Sequence, residues 1–184
     1  KAMLAADKTP LTLAYVNEYL KKFPNDAEIL DEAIKLSLAV NDQKQAQAWG
    51  ELRLALNPGK PEEISKQVDL ALASGDLDAA WSLQEKLLTL KPNDVEVHKR
   101  GAQIAEWSEK LETALVHWAW IAGHNIDDEA AENALKLADG LKSGDITISI
   151  LSSLSEKRAF SSAEFNYLIN AASNKDYTDK AIGL

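Results

Sequence analysis

The sequence contains no cysteine among its 184 residues. Disulfide bonds, thiolate catalysis and cysteine-ligated zinc are therefore excluded, but the compartment is left open because cysteine-free chains occur in cytoplasm and periplasm alike. No apolar run approaches the roughly 18 residues of a membrane-spanning helix, and no signal peptide is visible. Because Lys1 falls within a helical pattern, we expect the chain to be part of a longer protein, so the missing targeting signal is uninformative.

Basic residues are also scarce: 20 Lys and Arg stand against 29 Asp and Glu, which gives a net charge of -9. Nucleic-acid binders usually present a basic stripe that neutralises phosphates, so we expect no nucleic-acid partner. An acidic surface repels anionic lipid headgroups, so we also expect no membrane contact from this segment. Strand patterns are nearly absent, whereas Leu, Ala, Lys and Glu, which favour helix, are abundant.

Motifs for catalysis are missing as well, since the sequence holds no GxSxG, HExxH, Walker loop or GxGxxG. Of the three histidines, His117 and His124 would share a helix face, but a metal site would want a third ligand nearby at suitable spacing. Asp127 and Asp128 lie beyond that helix end, so we expect these two and His98 to be ordinary, partly exposed histidines. We therefore expect no metal ion, no cofactor and no enzymatic activity.

A period of 34 residues runs through the chain from about residue 9 to residue 124. Each period holds two stretches with the apolar spacing of a helix. Proline ends a helix because it lacks an N–H group and pushes the preceding residue out of the α region, while a small residue lets two helices approach closely. Two residue types mark the period: Pro24, Pro58, Pro92 and Ala46, Ala80, Ala114.

These residues resemble the tetratricopeptide repeat family, whose 34-residue units have a small residue early in the second helix and a proline near the end. The resemblance implies an all-α fold, an α-solenoid of antiparallel helix hairpins in a right-handed superhelix. The family's Trp or Leu position holds Leu30, Ile64 and His98, so the repeats are degenerate. The predicted units are a partial repeat at 1–26, repeats at 27–60, 61–94 and 95–128, a degenerate repeat at 129–160 and a partial degenerate repeat at 161–184.

The repeat pattern weakens after residue 126. We predict helix over 146–150 despite its local strand preference, because the repeat register outweighs five residues. Residues 143–145 resemble the turn at 74–76, and Ser161 with Glu164 predicts a capping box at the start of another helix. A last partial helix is expected over 174–184.

The resemblance implies that the first helix of each unit lines a concave face where a protein partner docks. The corresponding partner-binding residues are Lys66, Asp69, Lys99, Arg100, Gln103 and Trp107. The basic members would meet acidic groups, and the alternative is a solvated charged face. Some relatives clamp a C-terminal carboxylate with Lys and Asn, but the positions here hold Asp31 and Lys35, so that clamp is not supported.

Five tryptophans are an unusual number for this chain length. Trp49, Trp81, Trp118 and Trp120 lie on second helices, where we expect them to fill space between helices. Trp107 ends a first helix and is the better candidate for an exposed anchor, because tryptophan is enriched at binding hot spots.

The stretch at 117–122 is similar to the periplasmic repeat region of Pel-type exopolysaccharide outer-membrane exporters. That resemblance implies a periplasmic scaffold for biofilm polymer export that recruits a polysaccharide deacetylase or hydrolase. Without it, we expect a cytoplasmic scaffold for protein–protein interaction. The alternative function is direct polysaccharide binding through exposed tryptophans and the acidic surface.

Overall fold

The structure is a computed structural model, and it describes residues 8–124, 127–156 and 158–173. These residues form ten α-helices and no strand, which confirms the all-α prediction. The expected last helix at 174–184 lies outside the described residues. The helices are α1 (Thr9–Lys22), α2 (Ala27–Ala39), α3 (Gln43–Ala55), α4 (Pro61–Ser74), α5 (Leu77–Leu90), α6 (Val95–Trp107), α7 (Leu111–His124), α8 (Asp128–Gly140), α9 (Gly144–Ser155) and α10 (Ser162–Ala172).

The helices fall into two compact units, α1–α5 and α6–α10. In the first unit α2 pairs with α3 and α4 with α5, while α1 packs on α2 and α3 on α4. In the second unit each helix packs on the next, from α6 through α10. Helices joined by short turns and packed side by side are antiparallel hairpins. None of the described helices combines the length and the apolarity needed to cross a membrane.

Helix starts follow the 34-residue period. The first helices of three successive hairpins begin at 27, 61 and 95, and their second helices begin at 43, 77 and 111. Helix α1 begins at 9, in the second-helix register. The next hairpin begins one residue early, at 128 and 144, and α10 follows at 162. Helical pairing thus continues where the sequence pattern weakens, including over 146–150.

Aspartate caps five of the ten described helices. Each carboxylate accepts the backbone N–H of the residue three positions further along the chain, over 3.0–3.2 Å; the five caps are Asp26, Asp42, Asp76, Asp94 and Asp127. Such a cap satisfies one of the N–H groups that a helix start leaves unpaired. Ser161 forms the predicted capping box with Glu164.

Each turn within a hairpin contains one residue with left-handed backbone. The four residues are Asn41, Gly75, Glu109 and Lys142, with φ between 57° and 80°. Only one of them is glycine, so the sequence revealed only the turn at 74–76. The expectation that 143–145 would repeat that turn is corrected: Lys142 takes the place of Gly75, Ser143 precedes α9, and Gly144 is the first residue of that helix.

Small residues lie at the closest helix contacts. The repeating alanines Ala46, Ala80 and Ala114 have no exposed surface. One turn after Ala46, a Cβ on Gly50 would lie 2.0 Å from Gln67 Oε1 and 2.4 Å from Leu70 Cδ1. Helix α4 therefore packs on α3 so closely that a larger side chain at position 50 would have to displace the side chains of Gln67 and Leu70.

Candidate partner-docking surface

Helix α6 carries four of the predicted partner-binding residues on one side. Lys99, Arg100 and Gln103 are partly exposed and Trp107 is exposed, and spacings of three and four residues place them along one face. The remaining predicted residues, Lys66 and Asp69, are exposed on α4 of the first unit, where Lys66 pairs with Glu63 over 3.4 Å. We define the docking surface as Lys99, Arg100, Gln103 and Trp107 of the second unit.

The opposite side of α6 fixes this surface in place. Asp94 caps the helix by accepting the N–H groups of Glu96 and Val97. Ala102, Ile104 and Ala105 are fully buried. Because α6 buries one face and exposes the other, its outward residues are held by a rigid element rather than a loop.

Trp107 is 57% exposed. It is the thirteenth residue of its first helix, and the thirteenth residues of α2, α4 and α8 are Ala39, Ala73 and Gly140. Three other hairpins therefore fold with a small side chain or none at this position. Hairpin packing does not require the indole ring of Trp107.

The second-helix tryptophans are more buried. Trp118 is 2% exposed, and its indole N–H donates to Glu106. Trp49, Trp81 and Trp120 are partly buried. Because Glu106 precedes Trp107, the Trp118 hydrogen bond also ties down the last turn of α6.

The charge of the docking surface is partly neutralised. Lys99 Nζ lies 2.6 Å from Glu129 Oε2 at the start of α8. That hydrogen bond, with the nearby carboxylates, raises the pKa of Lys99 above its ordinary value. The lysine stays charged but is paired, so the surface is less basic than the residue types of α6 alone indicate.

One of the three histidines is more buried than expected, and two of them make a contact that their spacing does not show. His124 is exposed and its Nδ1 lies 2.9 Å from the Trp120 carbonyl oxygen, but His98 is 8% exposed and His117 is half-buried. The Nδ1 atoms of His98 and His117 lie 3.1 Å apart. The repeat register is the sequence feature that could have revealed this contact, because the fourth residue of α6 faces the seventh residue of α7.

Two other surface features lie outside α6. Helix α1 and the residue that follows it expose an apolar stripe, Leu11, Tyr15, Tyr19 and Phe23. Tyr15 and Tyr19 are the seventh and eleventh residues of α1, the positions that His117 has in α7 and Arg53 has in α3. His117 and Arg53 each face the first helix of their own hairpin, so the stripe lies on a face that packs against another helix within the repeat. A cavity of about 190 Å³ lies between α8, α9 and α10; it is smaller than the ~300 Å³ of typical ligand pockets.

No protein-family model and no curated protein matches the sequence. Solved structures do match. MamA superposes with a TM-score of 0.56 at 14% identity, over 83% of this chain and 93% of MamA. YrrB, described as a TPR protein with an unusual peptide-binding site, superposes with a TM-score of 0.53 at 16% identity, over 91% of this chain and 87% of YrrB. PilF of Pseudomonas aeruginosa gives 0.51 at 12% identity, over 99% of this chain and 83% of PilF.

The chain therefore has the tetratricopeptide-repeat fold, an α-solenoid class of helical hairpins. This agrees with the hairpins of α2–α7, with their 34-residue spacing and with the buried alanines. At these identities the similarity concerns the fold alone. The function has to be argued from the residues on its surface.

Proposed function

We propose that this chain is a non-enzymatic protein-interaction scaffold that docks a protein partner on the docking surface of α6, with Trp107 as apolar anchor. The observation that carries the proposal is an exposed tryptophan at a position where three other hairpins hold Ala or Gly. Tryptophan dominates binding hot spots because it buries a large rigid area at small entropic cost.

The neighbours of Trp107 suit the edge of a hot spot. Gln103 is partly exposed one turn before it, and the paired Lys99 lies two turns before it. A polar rim of this kind excludes water from a central apolar contact. The peptide-binding site ascribed to YrrB supports the idea that this fold accommodates a peptide, without locating the site in this chain.

The identity of the partner stays a prediction. On the resemblance to Pel-type exporters, we propose a periplasmic location and a polysaccharide deacetylase or hydrolase as partner. Within its 117–122 stretch, however, Trp118, Ile121 and Ala122 are buried. Packing within the fold is enough to account for these three residues, so they add no support to the export role.

Direct polysaccharide binding is the second candidate, and Trp107 is the aromatic residue that would carry it. Sugar rings stack on exposed aromatic faces, and a site usually needs more than one such platform. Titration with oligosaccharide should quench tryptophan fluorescence if this candidate is right. An unchanged emission spectrum at millimolar oligosaccharide would remove it.

Selection of peptides from a displayed library tests the protein-docking proposal. Peptides selected on the full chain should bind Trp107→Ala at least tenfold more weakly, because losing a hot-spot tryptophan costs about 2 kcal/mol or more. Folding should be unaffected, since Ala occupies the same position in α2 and α4.

The matched control is Val116→Ala, which removes a side chain 60% exposed on α7 of the same unit. It should leave peptide affinity unchanged. Peptides that bind wild type and Trp107→Ala equally well would contradict the proposal and move the docking surface away from α6.

A further inference from the structure

Two histidines from different helices face each other in the second unit. His98, the fourth residue of α6, and His117, the seventh residue of α7, place their Nδ1 atoms 3.1 Å apart. Their ring planes are inclined by 73°, so the two nitrogens converge edge to edge rather than stacking. In the preceding hairpins the same two positions hold apolar side chains, Leu30 with Trp49 and Ile64 with Leu83.

The proton on His98 is fixed by its other nitrogen. His98 Nε2 lies 2.9 Å from the carbonyl oxygen of Pro92. A carbonyl oxygen can only accept, so Nε2 carries the proton and Nδ1 of the neutral ring presents a lone pair towards His117. Histidines that bind metal ions usually have this arrangement, with one nitrogen ligating and the other donating to a backbone carbonyl.

Stacking holds the His98 ring in this orientation. Its centroid lies 3.7 Å from that of Trp120 with the planes inclined by 8°, and Trp120 in turn stacks on His124 over 4.1 Å. The indole face fixes the plane of the His98 ring, and a ring flip that turned Nδ1 away would break the hydrogen bond from Nε2 to Pro92. The ligand nitrogen is therefore preorganised.

His117 is suited to the second ligand position. It is half-buried on α7, and its Nδ1 faces the Nδ1 of His98 at 3.1 Å. In one neutral tautomer its Nδ1 donates to His98; in the other both Nδ1 atoms carry lone pairs, so both nitrogens are available to coordinate a metal ion. Moving between the tautomers needs no net loss of a proton, and a bound metal ion would replace the hydrogen bond between the two Nδ1 atoms.

We propose that His98 and His117 form a two-histidine site for a borderline divalent metal ion, with Cu²⁺ bound most tightly. Two nitrogens 3.1 Å apart, each about 2.0–2.1 Å from a metal ion, subtend roughly 100° at the metal, which suits both square-planar and tetrahedral coordination. Imidazole nitrogen is a preferred ligand of copper, nickel and zinc, and copper heads the affinity order.

The remaining coordination positions belong to solvent or to a ligand from a docked partner. Across residues 8–124, 127–156 and 158–173, no group of three or more His, Asp or Glu side chains is arranged to hold a metal ion. A bound ion would join α6 to α7, the hairpin that presents Trp107. Metal binding should therefore raise the thermal stability of the chain by mass action.

Titration of the full chain with Cu²⁺ alone, followed by calorimetry and electron paramagnetic resonance, tests the site. One equivalent should bind with a nitrogen hyperfine pattern from two imidazoles, and the midpoint of thermal unfolding should rise. His117→Leu should lower the affinity at least tenfold and remove the two-imidazole pattern. His98→Leu should do the same, and both substitutions insert a residue already found at the same position of another hairpin.

The matched control is His124→Ala, which removes the third histidine while leaving both Nδ1 ligands in place. It should bind Cu²⁺ with wild-type affinity and keep the two-imidazole pattern. Equal affinity and an equal spectrum for wild type and His117→Leu would overturn the proposal, and would show that the histidines are joined only by their hydrogen bond. Circular dichroism of the free variants separates loss of the site from loss of the fold.

Discussion

Gly50 is the residue that most directly sets the distance between two helices. A methyl group there would overlap the side-chain ends of Gln67 and Leu70, and Gln67 is buried and donates to the Gln47 carbonyl oxygen. Relief of the overlap would therefore disturb a buried hydrogen bond. The contrast is Gly140, the last residue of α8, around which a Cβ would meet nothing within 4 Å.

We predict opposite effects for the same substitution at these two glycines. Gly50→Ala should lower the free energy of unfolding by about 1–3 kcal/mol, since overpacking outweighs the gain in helix propensity. Gly140→Ala should raise it by about 0.5–1 kcal/mol, because alanine costs less backbone entropy. Urea unfolding of both variants measures the difference; a Gly50→Ala protein at least as stable as wild type would refute the packing argument.

At the scale of helices and turns, the hairpins share a left-handed turn residue that is usually not glycine. Asn41, Glu109 and Lys142 adopt the conformation that Gly75 adopts in the α4–α5 hairpin. The left-handed conformation costs residues with a Cβ roughly 1–2 kcal/mol, with Asn the least affected. The hairpins at Glu109 and Lys142 therefore form against local strain.

Glycine substitution should relieve that strain. Glu109→Gly is expected to raise the free energy of unfolding by about 0.5–1 kcal/mol, whereas Gly75→Ala should lower it by about 1 kcal/mol. Thermal or urea unfolding of the two variants checks the pair. Destabilisation by Glu109→Gly would mean that its side chain contributes more than the backbone strain costs.

An ion-pair network links three elements of the second unit. Arg158 pairs with Glu164 at the start of α10 over 2.7 Å and with Asp128 at the start of α8 over 2.8 Å. The Arg158 guanidinium and the Ser161 capping bonds lower the pKa of Glu164 from 4.5 to about 2. A lowered carboxyl pKa stabilises the folded state above about pH 4.5, and that contribution is lost as the pH falls towards 2.

Removing the arginine should therefore destabilise the chain most while Glu164 is charged. Arg158→Gln should be less stable than wild type by about 1 kcal/mol at pH 6, and the difference should shrink steadily between pH 4.5 and pH 2.5. Urea unfolding across this range measures the difference. A gap that stays constant with pH would show that the Glu164 carboxylate is not the partner through which Arg158 acts.

At the scale of the whole molecule, the sequence predicted the hairpins because the residues that recur every 34 positions have strong effects on the local backbone and on helix packing. A proline after the last turn stops a helix from continuing, and alanine fits where two helices meet closely, as Pro92 and Ala114 illustrate. The interval between the starts of α6 and α8 is one residue shorter than the 34-residue period, and no residue type in the sequence marks that shortening. The left-handed turn at Lys142 is not marked either, because nothing in a lysine side chain marks a positive φ.

The candidate site was predictable only in part. The repeat register placed Trp107 on a first helix, and its exposure fits that prediction. The pairing of Lys99 with Glu129 and the contact between His98 and His117 depend on which helices pack together. Such contacts bring residues from separate helices within hydrogen-bond distance, so spacing along the chain does not show them.

The most direct test of the docking proposal is an NMR titration that follows the five tryptophan indole N–H signals. As a peptide selected against the full chain is added, the Trp107 indole signal should shift or broaden until the chain is saturated with peptide. The signal of Trp49, in the first unit, should stay in place. A Trp107 signal that does not move at saturating peptide would contradict a partner-docking role for α6.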